Sequence, residues 1–224
     1  MSEYLVYLNS PEKHSYPTNE IRTTKYGIVS FIPKSIFFQF QRLANLYFLA
    51  TAVLQCFPTI SPLNPFTAIG PLALVLLIAM IKEAIEDWRR RQNDSFVNHC
   101  RTLLWKENKW TPEEWKNLKA GQVVMVREEE EFPADLVILA SSEENADCKI
   151  QTANLDGERN LKTKQASNET IGLFEGTTLH PEVHLKLSVN PPDARLDYFR
   201  GKVSVNGKEL PVDKKQLLLR VRPT

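Results

Sequence analysis

The sequence predicts an α + β membrane protein, built from a two-helix transmembrane hairpin and an all-β domain of jelly-roll type. Two observations carry this prediction. Residues 43–81 contain no charged side chain over about forty positions, roughly twice the ~20 residues that one helix needs to cross a bilayer. After residue 98 the pattern changes to short β-prone runs, which are separated by turns rich in Asn, Asp, Gly and Pro.

A proline-rich stretch divides the apolar region into two helices. Pro58, Pro62 and Pro65 cannot lie inside a helix, because each lacks an N–H donor and clashes with the preceding turn. We predict a first membrane helix over residues 36–57, a non-cytoplasmic loop over residues 58–65 and a second membrane helix over residues 66–87. A soluble helical hairpin is the alternative, but it would show polar faces at helical period.

The distribution of cations predicts the orientation. Lys34 and Arg42 flank the start of the first span, Arg89 to Arg91 follow the second, and the loop between them has no cation. Both termini are therefore expected in the cytoplasm, with residues 1–35 as an N-terminal segment and residues 88–224 as the β-rich domain. We expect an integral protein of the endomembrane system or plasma membrane. The formal net charge of +1 gives no basic excess for nucleic-acid binding.

Polar groups inside a membrane span are costly and need a reason, and three of those in the predicted first span are candidates for a substrate path. Asn45 comes early in the helix, and Gln55 and Cys56 come at its far end. One interpretation is hydrogen bonding to other spans. The other is a polar track for a substrate that passes through lipid, and the sequence leaves both open.

Metal binding is not expected. His180 and His184 are four residues apart, but Pro181 stands between them and no Cys or further His follows at ligand spacing.

The segment 151–164 contains the candidate catalytic residues Asp156, Gly157 and Glu158. Asp-Gly is a tight-turn pair, because Gly accepts positive φ without steric cost. Such a turn would present the carboxylate of Glu158 at the tip of a loop. Taken alone, an ordinary hairpin turn explains the same residues.

We predict seven strands after residue 98, with an Asn206-Gly207 turn before the last of them. The predicted strands are 101–104, 122–127, 136–140, 148–153, 185–189, 202–205 and 216–221.

Six segments, taken together and in order, give the chain a specific resemblance that covers nearly its whole length. They are Lys25-Tyr26 with Phe31-Ile32-Pro33-Lys34, Gln39 to Phe48, Ile69-Gly70-Pro71-Leu72, Ile81 to Asp87, Phe132 to Leu136, and Asn154 to Lys162. The chain resembles the N-terminal portion of type IV P-type ATPases, the phospholipid flippases.

The resemblance implies that the two helices are the first membrane hairpin and that the β-rich part is the actuator domain. It places Asp156, Gly157 and Glu158 at the loop that drives hydrolysis of a phosphorylated aspartate. Arg159 stands where the family usually has Thr, and it could clamp the phosphate or pair with Glu158. Cys56 stands where many flippases have a second Gln, at the entry gate for the lipid headgroup.

The family uses ATP and Mg²⁺, moves phospholipid toward the cytoplasmic leaflet and often has a two-span glycoprotein partner. This chain has no Asp-Lys-Thr-Gly phosphorylation motif, so we expect no ATP or Mg²⁺ binding and no activity from it alone. A non-enzymatic membrane-anchored β-domain that regulates a partner is the alternative. An ion-pumping P-type ATPase is disfavoured, because those families more often carry Thr-Gly-Glu-Ser in this loop.

Overall fold

The computed structural model of the chain describes residues 4–8, 16–27, 29–57, 61–143, 145–180, 185–190 and 199–220. The chain divides into two compact units. The helical unit comprises Ile21–Phe96, and the β-rich unit comprises Met1–Glu20 with Val97–Thr224. The predicted mixture of helices followed by strands is confirmed at this level.

The helices are α1 (Phe31–Phe40), α2 (Leu43–Gln55), α3 (Phe66–Asn98), α4 (Ala153–Asp156) and α5 (Asn168–Ile171). The strands are β1 (Tyr4–Tyr7), β2 (Arg101–Lys106), β3 (Lys109–Glu114), β4 (Val124–Met125), β5 (Leu136–Val137), β6 (Asp147–Ile150), β7 (Lys162–Gln165), β8 (Phe174–Glu175), β9 (Thr178–Leu179), β10 (Leu185–Val189), β11 (Gly201–Val205), β12 (Lys208–Val212) and β13 (Leu217–Leu218).

Within the described residues, α3 is the one helix that is long and apolar enough to cross a membrane. Its 33 residues span about 50 Å at 1.5 Å per residue. Leu74, Leu77 and Ile78 are each more than half exposed, which suits contact with lipid better than contact with water. The predicted continuation of this helix into a charged segment after residue 82 is confirmed.

The structure divides the single helix predicted over residues 36–57. Arg42 has an extended backbone with ψ 122°, so α1 ends before it and α2 begins after it. The amide of Asn45 donates to the Gln39 carbonyl oxygen at 2.8 Å, and the backbone N of Arg42 donates to the same oxygen at 3.3 Å. With 13 residues, α2 is about 20 Å long and shorter than the ~30 Å hydrocarbon core. A second membrane span therefore stays a prediction.

Three acidic residues lie on one face of α3, because spacings of four and seven residues bring side chains to the same side of a helix. We call Glu83, Asp87 and Asp94 the carboxylate row. Asp94 accepts hydrogen bonds from the backbone N and the Oγ1 of Thr23, both at 2.7 Å. Asp87 accepts one from the backbone N of Lys25 at 2.8 Å. Both aspartates are buried, so the row fixes the extended segment before α1 along α3.

Glu83 is half-buried and accepts from two hydroxyl groups of the same unit. The Ser35 hydroxyl, which is fully buried, donates to it at 2.6 Å, and the Tyr26 hydroxyl donates to its other oxygen. Burial, followed by the contact with Glu83, raises the pKa of Tyr26 to about 12. Glu83 thus joins α1, the segment before it and α3.

The β-rich unit is built from antiparallel strand pairs. The largest described sheet has the order β1-β10-β11-β12, and a second has the order β3-β2-β4. The predicted Asn206-Gly207 turn is confirmed between β11 and β12, with φ 48° and 87°. The jelly-roll arrangement itself stays a prediction.

Two apolar clusters form the core of this unit. The larger joins the four-stranded sheet to Trp105 and Val123. The smaller contains Ile138, Ala146, Ile150, Ala166 and Leu218. Ile150 ends β6 and Ala166 follows β7, so the smaller cluster supports the base of the candidate site.

Candidate functional site

The candidate catalytic residues lie in residues 151–161, which connect β6 to β7 and which we call the tip loop. The two strands pair antiparallel, with Ile150 opposite Lys162, so the loop leaves and re-enters the unit at one sheet edge. One helical turn, α4, follows Thr152, and its first bond joins Leu155 N to the Thr152 carbonyl at 2.8 Å. Gly157 ends this turn in the left-handed conformation with φ +76°.

Asp156 holds the tip loop in shape. Its Oδ1 accepts from the backbone N of Glu158 at 3.0 Å, and its Oδ2 accepts from the Thr152 hydroxyl at 2.9 Å. Its Oδ2 also accepts from Lys162 Nζ at 2.5 Å. The Lys162 ammonium, and then the Glu158 backbone N–H, lower the pKa of Asp156 to about 2. A carboxylate with these partners is committed to structure, so Asp156 is poorly suited to take a proton.

Glu158 is the more available carboxylate. Its side chain is 62% exposed, and its Oε2 pairs with Lys162 Nζ at 2.9 Å. Contacts among the described residues do not engage the other oxygen, Oε1. The ion pair is with Lys162 and not with Arg159, which is exposed. The arrangement therefore presents one carboxylate oxygen to solvent at the end of a braced turn.

Gly157 leaves space beside this carboxylate. A Cβ built on Gly157 would meet no atom within 4 Å, so its surroundings do not require glycine. The positive φ requires it instead, because other L-residues are strained there. The absent side chain also allows another molecule to approach the backbone closely.

Sequence reasoning assigned no role to Thr152 or Lys162, although both contact the predicted catalytic residues. The signal for Lys162 was its spacing of four residues from Glu158. Contact with Asp156 raises the pKa of Lys162 to about 12, with Glu158 adding to the effect, so Lys162 is a cation at neutral pH.

The three predicted path residues are not brought together. Asn45 and Gln55 are ten positions apart on α2, or about 15 Å along its axis. Asn45 is buried and donates to the Gln39 carbonyl, which lies in the same predicted span, so hydrogen bonding to another span stays a prediction.

Gln55 and Cys56 lie together at the end of α2. Gln55 Oε1 lies 3.3 Å from the Thr67 hydroxyl, but that hydroxyl donates to the Asn64 carbonyl at the shorter distance of 2.7 Å. The amide of Gln55 is therefore weakly held. The thiol of Cys56 is free and exposed, and it contacts the Ala52 carbonyl at 3.3 Å.

Among the described residues, no group of three or more His, Cys, Asp or Glu side chains is placed to hold a metal ion. His180 is exposed, and His184 lies outside the described residues.

Comparison with known proteins gives two family matches. Residues 6–69 match the family described as phospholipid-translocating ATPase N-terminal. Residues 97–182, which include the tip loop, match the family described as P-type ATPase actuator domain.

Individual relatives extend the similarity over almost the whole chain. The probable phospholipid-transporting ATPase 12 of Arabidopsis thaliana is 41% identical over 222 residues, or 96% of this chain and 19% of the relative. The phospholipid-transporting ATPase 10 of the same plant is 40% identical, over 96% of this chain and 18% of the relative. The phospholipid-transporting ATPase DRS2 of Saccharomyces cerevisiae is 38% identical, over 92% of this chain and 15% of the relative.

The chain thus spans about a fifth of the length of these relatives or less. The matched N-terminal region, the matched actuator region and the identity over nearly every residue agree with one another. This chain is similar, over nearly its whole length, to the N-terminal and actuator regions of phospholipid-transporting P-type ATPases.

Proposed function

We propose that this chain acts as part of an ATP-driven phospholipid translocase, which moves lipid toward the cytoplasmic leaflet. In this role the tip loop promotes hydrolysis of an aspartyl phosphate that another part of the enzyme supplies. The observation that carries the proposal is the Glu158 carboxylate, which is exposed and stands at the end of a braced turn with one oxygen open to solvent.

The chemistry assigns a different task to each residue of the loop. An aspartyl phosphate is an acyl phosphate, and its hydrolysis needs a water molecule in line with the phosphorus and a base for the proton of that water. Glu158 Oε1 binds the water and takes the proton as the new P–O bond forms. The bond from phosphorus to the aspartyl oxygen then breaks, which releases inorganic phosphate and a free aspartate carboxylate.

Asp156 and Gly157 support this step without taking the proton. Asp156 accepts a hydrogen bond from the backbone N of Glu158 and thereby fixes the backbone position of this residue. Gly157 lets the loop backbone come close to the phosphoryl group, because no side chain intervenes. Arg159 is exposed and does not pair with Glu158, which favours a clamp on the phosphate over an ion pair with the glutamate.

The helical unit would provide the membrane part of this function. We propose that α2 and α3 form the first membrane hairpin, with both termini in the cytoplasm, and that Gln55 and Cys56 face the lipid headgroup. The weakly held amide of Gln55 supports this role, since it has donors and an acceptor to offer a polar ligand. Asn45 is a weaker candidate, because its amide is already bonded to Gln39.

ATP and Mg²⁺ would act on other domains of the translocase. A phospholipid is the proposed substrate, and an accessory two-span glycoprotein is a proposed partner. We expect the 224-residue chain by itself to be inactive.

The test is Glu158→Gln in a complete phospholipid-transporting ATPase that carries this sequence. A positioned general base contributes ~10²–10⁴ in rate, so the phosphorylated enzyme should decay slower by that factor. The measurement is the decay of radiolabelled phosphoenzyme after a chase with unlabelled ATP.

Glu209→Gln is the matched control. Glu209 is 63% exposed and pairs with Lys202 at 2.9 Å, which closely reproduces the exposure and ion-pair distance of Glu158. The control should decay like the unmodified enzyme. Normal decay of the Glu158→Gln enzyme would refute the proposed role of Glu158.

A further inference from the structure

We propose that Lys162 is a positioning residue for phosphoenzyme hydrolysis, which neutralises the tip loop and fixes the Glu158 carboxylate for its approach to the phosphoryl group. The proposal rests on the function proposed above for Glu158. It adds a residue outside the Asp-Gly-Glu sequence and gives it a distinct task.

Geometry gives Lys162 two carboxylates at once. Its Nζ lies 2.5 Å from Asp156 Oδ2 and 2.9 Å from Glu158 Oε2. Lys162 begins β7, opposite Ile150 at the end of β6, so its backbone belongs to the supported base of the loop. A cation anchored on the strand therefore reaches forward to hold the carboxylates of the turn.

The neighbouring lysine on the same strand shows that this placement is particular to Lys162. Lys164 points to the same side of β7, since side chains two residues apart share a face. Its Nζ donates to the Lys214 carbonyl at 2.7 Å, and burial lowers its pKa. Lys164 thus bonds to the backbone of Lys214, outside the tip loop, whereas Lys162 contacts the two carboxylates of the tip loop.

Charge explains why the loop needs this cation. Asp156 and Glu158 are anions that the proposed reaction brings toward a second anion, the phosphoryl group. Without Lys162 the two carboxylates repel that group, and Arg159 alone cannot balance both. With Lys162 in place, the formal charges of Asp156, Glu158, Arg159 and Lys162 sum to zero. The approach of the loop to the phosphoryl group then meets no net repulsion.

Position explains the second part of the task. Lys162 engages Glu158 Oε2 and leaves Oε1 for the attacking water. The same ammonium engages Asp156, which in turn accepts from the Glu158 backbone N, so Glu158 is fixed at both its backbone and its side chain. Fixing the base before reaction reduces the orientational freedom that the transition state must otherwise remove.

The experiment compares Lys162→Met with Lys162→Arg in the complete ATPase. Phosphoenzyme decay and inhibition by orthovanadate, a phosphate analogue, are measured at low and high salt. Lys162→Met should slow decay and weaken vanadate binding by about fivefold each, the order expected of one unneutralised charge about 4 Å away when water screens the interaction. Both effects should shrink at high salt, because screening weakens repulsion between exposed charges. Lys162→Arg should restore most of both.

Lys202→Met is the matched control, because Lys202 pairs with one exposed glutamate at the same 2.9 Å. It should leave decay and vanadate binding unchanged. A charge-compensating variant, Lys162→Met with Asp156→Asn, should recover vanadate affinity, since asparagine keeps an oxygen acceptor for the Glu158 backbone N.

Three results would overturn the proposal. They are normal decay and vanadate binding in Lys162→Met, equal defects in Lys162→Met and Lys202→Met, and a Lys162→Met defect that neither salt nor arginine relieves. Glu158→Gln is measured in the same series. If it traps the phosphoenzyme while Lys162→Met behaves normally, only the inference about Lys162 fails; if it too decays normally, the proposed function itself fails.

Discussion

Asp94 in α3 and Glu158 in the tip loop are both acidic residues, but their surroundings differ in two measurable ways. Asp94 is 7% exposed and accepts two hydrogen bonds at 2.7 Å from Thr23. The side chain of Glu158 is 62% exposed and has a single ion pair, with Lys162. A buried carboxylate that accepts hydrogen bonds from protein donors is held in one position, whereas an exposed carboxylate stays available to bind water or another molecule.

The difference extends to the groups around each residue. The carboxylate row binds backbone N–H groups and hydroxyls of residues 23–35, and its partners come from far along the chain. The tip loop is closed by neighbours within ten residues of one another, from Thr152 to Lys162. The carboxylate row should therefore determine stability and Glu158 should determine chemistry, while Asp156 holds the tip loop in shape.

The largest expected effect comes from Glu83→Ala, which removes the acceptor for two hydroxyls. Ser35 is fully buried, so its hydroxyl cannot turn to water, and Tyr26 is 3% exposed. Two buried donors without partners should cost about 2–5 kcal/mol of unfolding free energy. The measurement is thermal unfolding of the 224-residue chain in detergent.

Glu86→Ala is the control on the same helix. The side chain of Glu86 is 52% exposed and pairs with Lys82 at 3.9 Å, so its loss should cost about 0.5 kcal/mol or less. Equal destabilisation by the two variants would show that Glu83 is not a structural carboxylate.

An intermediate effect is expected from Gly157→Ala. Alanine is strained at φ +76°, which should cost about 1 kcal/mol of unfolding free energy. Displacing Glu158 should also slow phosphoenzyme decay by about tenfold or more. Gly207→Ala is the control, because Gly207 has φ +87° and equally open surroundings but lies in the turn between β11 and β12. We expect the two variants to lose similar stability and only Gly157→Ala to slow phosphoenzyme decay. Slow decay in both variants would contradict the distinct role of the tip loop.

The smallest effect concerns pH. The folded-state pKa of Asp156 is lowered to about 2 from 3.8, so its contribution to loop stability is present above pH 3.8 and is lost as pH falls toward 2. The pKa of Lys162 is raised to about 12 from 10.5, so its contribution is present below pH 10.5 and is lost as pH rises through 12. Asp156 and Lys162 should therefore both stay charged between about pH 5 and 9.

Carbon-13 NMR of the Asp156 carboxyl group in the detergent-solubilised chain measures this directly. A midpoint near 2 is expected. A midpoint near 3.8 would show that Lys162 and the Glu158 backbone do not hold this carboxylate in solution.

Local patterns predicted the parts of the molecule that depend on neighbours in sequence. The Asn206-Gly207 turn, the charged continuation of α3 and the turn at Asp156-Gly157 all follow from adjacent residues. The break in the helix at Arg42 was not predicted. The helix was predicted from the length of the apolar stretch, which contains no information on the extended backbone of Arg42 or on the hydrogen bond from Asn45 to Gln39.

Parts that depend on pairing over long distances could not be predicted. Strand β1 is four residues long and is defined by its partner β10, about 180 positions later. The role of Lys162 depends on the pairing register of β6 and β7, which places it opposite Ile150. No local sequence pattern predicts this register. The carboxylate row follows helical spacing, but its partners before α1 become visible only in the fold.

The most direct test of the division between structural and chemical carboxylates measures two quantities on two variants of the complete ATPase. Glu158→Gln and Glu83→Ala are compared for phosphoenzyme decay and for thermal unfolding midpoint, with decay measured well below both midpoints. We expect Glu158→Gln to slow decay by ~10²–10⁴ at an unchanged midpoint, and Glu83→Ala to lower the midpoint while decay stays near normal. Normal decay in Glu158→Gln, or an unchanged midpoint in Glu83→Ala, would contradict the account.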